Sequence, residues 1–65
     1  MMATFRIMYV TEKPIYDIKY RMIDAPPLPM PGDVVAINQS MYRVLGRTWE
    51  IKQQNIDVAI NVTQL

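Results

Sequence analysis

Apolar and polar residues alternate with a period of two along most of this chain, and that spacing predicts strands. The clearest run is 15–23, where Tyr16, Ile18, Tyr20 and Met22 fall on one face and Asp17, Lys19 and Arg21 on the other. Wound into a helix, the same residues would mix charged and apolar groups around the cylinder, so a half-buried strand is the consistent reading. Residues 4–12 set Phe5, Ile7 and Tyr9 against Arg6, Met8 and Val10. Both faces are partly apolar, as in a strand covered on each side. Between these segments Glu12-Lys13-Pro14 reads as a short connection, because proline lacks the N–H that a ladder uses and restricts the residue before it. A hairpin follows.

The segment 25–33, Ala25-Pro26-Pro27-Leu28-Pro29-Met30-Pro31-Gly32-Asp33, holds four of the five prolines and one of the two glycines. It predicts an extended, stiff connection whose Pro-Gly turn launches a strand at Val34-Val35-Ala36-Ile37. Asn38-Gln39-Ser40 predicts a turn into Met41–Leu45, with Tyr42 and Val44 pointing inward. Gly46 then breaks the alternation. A lone glycine in a strand pattern signals a bulge or bend, after which the inward positions shift to Trp49 and Ile51. Residues 52–55 are polar and loop-like, and Val58, Ile60 and Val62 alternate along a closing strand, 57–63. The expected fold is all-β: one domain, 1–65, built as a small five-stranded antiparallel barrel or meander with the Pro-rich connection at 25–33. Closure is favoured because an open sheet leaves two adhesive edges.

Size sharpens this picture. At 65 residues the chain is close to the lower limit for a self-sufficient core, and small folds compensate with disulfides, a metal or self-association. Cysteine and histidine are both absent, which removes disulfides and Cys/His zinc sites. A homo-oligomer that extends the core across an interface is therefore expected.

The same two absences remove the side chains that do most proton transfer and nucleophilic attack near neutral pH. The carboxylates Glu12, Asp17, Asp24, Asp33, Glu50 and Asp57 are scattered over turns and polar strand faces, and two glycines cannot make a phosphate loop. No enzyme activity, cofactor or metal is expected. Nor does the sequence carry a secretory signal or an apolar run of membrane-spanning length, so a cytoplasmic protein without membrane contact is anticipated.

Pro31-Gly32-Asp33-Val34-Val35-Ala36-Ile37, Met41-Tyr42-Arg43-Val44, Arg47-Thr48-Trp49-Glu50-Ile51 and Val58-Ala59-Ile60-Asn61-Val62 together resemble the strand-turn-strand spacing of small SH3-like barrel proteins, many of them encoded by bacteriophages and prophages. The resemblance covers the C-terminal half and implies an SH3-like barrel of viral type. Residues 4–23 have no counterpart in it.

Three function classes are compatible with these features. One is a small non-catalytic binding protein, phage- or mobile-element-encoded, that binds and inhibits or modulates a host protein; its contact residues would be Leu28 and Met30 on the Pro-rich connection, together with Trp49. Another is a nucleic-acid-binding barrel in which Lys19, Arg21, Arg43, Arg47 and Lys52 track the phosphates while an aromatic ring stacks on a base. The net charge of only +1 and the interleaved acidic residues weigh against it. A third is a self-assembling structural component, or an oligomer that sequesters a nucleotide signal at a subunit interface. Clustering of the five basic side chains on one face would favour nucleic acid; an exposed patch of Leu28, Met30 and Trp49 would favour a protein partner.

Overall fold

The computed structural model describes residues 3–65 and is all-β, with one five-stranded sheet rolled into an almost closed barrel. The strands are β1 (Thr4–Val10), β2 (Pro14–Arg21), β3 (Val34–Ile37), β4 (Ser40–Ile51) and β5 (Asn55–Gln64), with a single 3-10 turn at Met22–Asp24. β1 stops two residues short of the expected end. Pro14 opens β2, at a first-strand position where its missing N–H does no harm, and Met22 and Ile23 leave the strand for the 3-10 turn.

Across the sheet the order is β2-β1-β5-β4-β3. Successive strands are neighbours everywhere except between β2 and β3, so the chain is a meander that closes back on itself. Pairing is antiparallel for β1–β2, β3–β4 and β4–β5, and parallel for β1–β5. The parallel pair follows from parity, since five strands of alternating direction bring the first and last into one direction when the ring closes. The ring stays open at β2/β3. There the connection carries four prolines, which cannot donate to a ladder.

Alternation decides what the barrel encloses. Phe5, Ile7, Val44, Val58, Ile60 and Val62 form the buried cluster, and Tyr9, Ile15, Ile18, Tyr20, Tyr42 and Leu28 pack against it. β5 lies between β1 and β4 and contributes the deepest side chains, Val58 and Ile60, both 0% exposed. On its outer face Asp57 is buried beneath Lys52, which donates to it at 3.2 Å. The β3–β4 hairpin turns on Asn38 and Gln39, with φ of 49° and 71°, the paired left-handed geometry that suits the twist of a two-residue hairpin. Gly32, at φ 95°, makes the turn that brings its N–H onto the Val44 carbonyl at 2.8 Å.

Candidate functional site: the open side of the barrel

β3 has four residues and β4 has twelve, so β3 can cover only one end of β4. It pairs with Ser40–Arg43, and the Gly32-Asp33 turn extends the contact by one residue: Val44 donates to the Asp33 carbonyl and accepts from Gly32, both at 2.8 Å. Beyond Val44 the register on β5 slips, with Val44 opposite Val62 and Gly46 opposite Asn61. The extra residue is therefore Leu45, and Gly46 is the small neighbour that follows the bulge.

The slip changes which residues look outward. Lys52 donates to Asn55 at 2.8 Å, and antiparallel hydrogen-bonded pairs alternate from there, so Glu50, Thr48 and Gly46 point their backbone groups at β5. Arg47, Trp49 and Ile51 point theirs away. Among the described residues no backbone group bonds to those three on that side. Opposed residues share a face, which puts Arg47, Trp49 and Ile51 on the face of Ile60, Val58 and Ile56. Trp49 meets the Phe5 ring edge-on, with centroids 6.1 Å apart and planes at 79°.

This stretch thus belongs to the core face of the sheet and lacks the strand that would cover it. Trp49 is 49% exposed and Ile51 76% exposed, against 0% for Val58 one strand away. Of the three side chains expected to meet a protein partner, Leu28 is partly buried against the core and helps to close the barrel, whereas Met30, 60% exposed, and Trp49 remain open. Met30 is held by Asp33: its N–H donates to the Asp33 Oδ2 at 2.8 Å, and its carbonyl accepts from the Asp33 N–H at 3.0 Å. Ile51 is the exposed apolar residue on this face that sequence reasoning had expected only to point inward. Its signal was the mismatch between a four-residue β3 and the long strand after it.

The register brings Lys19, Arg21 and Lys52 to one end of the outer face, while Arg43 and Arg47 lie apart from them. Lys19 and Arg21 lie on the outer face of β2, opposite Arg6 and Thr4 of β1. Arg43 is on the outer face at the far end of β4, opposite Thr63, and the bulge puts Arg47 on the inner face. Lys52 sits 3.2 Å from Asp57 and 3.3 Å from Glu50, and hydrogen bonds to those two carboxylates, Asp57 foremost, raise its pKa. Arg6 pairs with Asp17 at 3.1 Å and Arg21 with Asp24 at 2.6 Å. Three basic side chains, Arg6, Arg21 and Lys52, are thus paired with carboxylates.

Where the ring is open, a cavity of about 220 Å³ lies between β2 and β3, lined by Tyr9, Tyr16, Val35, Ala36, Ile37 and Asn38. Tyr9 and Tyr16 tilt together at 6.2 Å, and burial, followed by the nearby Tyr20 and Tyr16, raises the Tyr9 pKa above its ordinary 10.0. Among the described residues no group of three His, Cys, Asp or Glu side chains is placed to hold a metal ion, and no helix is long and apolar enough to cross a membrane.

Comparison of the chain with protein-family models, curated proteins and solved structures gives no match.

Proposed function

We propose that this chain is a non-catalytic protein-binding module whose contact surface is the uncovered part of β4, with Trp49 and Ile51 as anchors and Met30 as a flanking contact. The observation that carries the reading is that Trp49 and Ile51 lie on the core face and are nonetheless open to solvent. Uncovered apolar side chains on the inner face suit a partner that supplies an apolar surface, and tryptophan is among the strongest anchors of protein interfaces. The resemblance to phage-encoded barrels fits a role in binding and inhibiting or modulating a host protein. Against a nucleic-acid reading stand the net charge of only +1, the separation of Arg43 and Arg47 from the other basic side chains, and the carboxylates beside Arg21 and Lys52.

The test is affinity capture from host extract with the wild-type chain, a Trp49→Lys variant and a Lys19→Glu/Arg21→Glu variant, each captured protein then being purified and its binding measured by calorimetry. A purified partner that binds wild type and the β2 variant alike, and Trp49→Lys at least tenfold more weakly, supports the reading. Loss of binding in the β2 variant, or tight and salt-sensitive binding of single-stranded DNA in fluorescence anisotropy, overturns it.

A further inference from the structure

From the free edge of β4 we infer that a second copy of this chain occupies it, forming a two-fold antiparallel β4–β4 pair with its axis at Trp49. The inference deepens the protein-binding reading and rests on its contact surface. The edge offers three outward-facing residues in alternation, Arg47, Trp49 and Ile51, and only an extended backbone can answer such a row. The stretch is complementary to itself. With Trp49 opposite Trp49 of the second copy, Arg47 falls opposite Ile51 and Thr48 opposite Glu50, and all three outward residues engage. No like charges then stand face to face. The arrangement also puts Arg47 diagonal to the neighbouring indole, within reach for a long side chain.

Alternative registers are poorer for identifiable reasons. Moving the partner by two residues in one direction sets Glu50 against Glu50, a directly opposed like-charge pair. Moving it by two in the other direction leaves Ile51 facing the bulge at Leu45. The pair on Trp49 joins two five-stranded sheets into a continuous one. It places two indoles and two Ile51 side chains side by side on the inner face, so the apolar surface offered to a further partner is completed by the second copy. A contact of one strand per chain belongs with the smaller protein interfaces, and dissociation is expected in the micromolar range.

The chain has no cysteine, so introduced cysteines report only contacts between copies. Thr48→Cys and Glu50→Cys keep the lone tryptophan and lie at a non-hydrogen-bonded pair in the inferred dimer, where strands approach most closely. An equimolar mixture of the two variants under mild oxidation is expected to yield the mixed disulfide, joining position 48 of one copy to position 50 of the other, several-fold faster than either variant alone forms its own. In sedimentation the wild type is expected to pass from monomer to dimer over the micromolar range. Arg47→Pro removes one outward N–H without touching the β5 ladder and is expected to weaken dimerisation about tenfold, with the far-UV circular dichroism unchanged. A wild type that stays monomeric to millimolar concentration overturns the inference, as does fastest self-linking by Thr48→Cys or Glu50→Cys, which reports another register. A partner bound through Trp49 by a strictly monomeric chain would sink the dimer and leave the proposed function standing; a dimer that binds no partner would do the reverse.

Discussion

Val58 and Trp49 are directly opposed on neighbouring strands and share one face of one sheet, yet one is sealed and the other half open. Val58 sits on β5, which has a strand on either side; Trp49 sits on β4, whose outer neighbour ends at Val34. Facing inward therefore does not by itself bury a side chain in this barrel. Trp49 lacks the further strand that Val58 has on its far side. The closed wall holds the fold together, and the open wall leaves apolar side chains in solvent.

The largest separation between the two walls is expected in stability. Ile60→Ala on the closed wall should cost about 3 kcal/mol, while Ile51→Ala on the open wall should stay within about 0.5 kcal/mol, both read by urea denaturation at a concentration where the chain is monomeric. Equal losses would mean that the open wall is covered in solution. Next comes the turn that stops β3 from running further along β4. Gly32→Ala is strained by its φ of 95° and should cost about 1–2 kcal/mol; Gly46→Ala meets nothing within 4 Å and should change stability by less than about 0.5 kcal/mol. A smaller gain, roughly 0.5 kcal/mol, is expected for Gln39→Gly, because residue 39 already adopts the left-handed geometry that glycine accepts without strain.

Alkaline titration gives the gentlest probe. Tyr9 and Lys52 both have raised pKa values in the folded chain, so the folded state holds their protons more tightly than the unfolded one. Their contribution is fully present below pH 10.0 and 10.5, the respective ordinary values, and is lost as the pH climbs through the raised ones. Denaturation midpoints should fall from about pH 10 upward, and less steeply in Tyr9→Phe, whose ring has no proton to lose. Identical slopes in Tyr9→Phe and wild type would remove Tyr9 from the account.

Much of the closed wall was legible in the sequence. Phe5, Ile7, Val44, Val58, Ile60 and Val62 declare themselves by alternation, and even the shift of the inward positions to Trp49 and Ile51 after Gly46 follows from the break in pattern. The open wall was only half legible. Period-two spacing reports which way a side chain points, but exposure depends on where a neighbouring strand stops, and that is a property of pairing between distant segments. Leu28 shows the same limit from the other side. An apolar residue among prolines could either fold over the core or be offered to a partner, and the three-dimensional path of the connection lays it on the core.

The parallel β1–β5 pair sets the order in which this molecule can be assembled. Each antiparallel pair joins segments close in sequence, so those hairpins form after short loop closures on the microsecond scale. The remaining ladder begins at Thr4 and Asn55, whose side chains meet at 2.8 Å across a separation of 51 residues. Its closure entropy is paid in a single late step. Until that step the N-terminal hairpin and the C-terminal three strands are separate pieces, and Ile7 and Val58 remain wet. Folding should therefore be limited by the meeting of the two chain ends, and a weakened β1–β5 ladder should slow refolding more than an equally weakened β3–β4 hairpin.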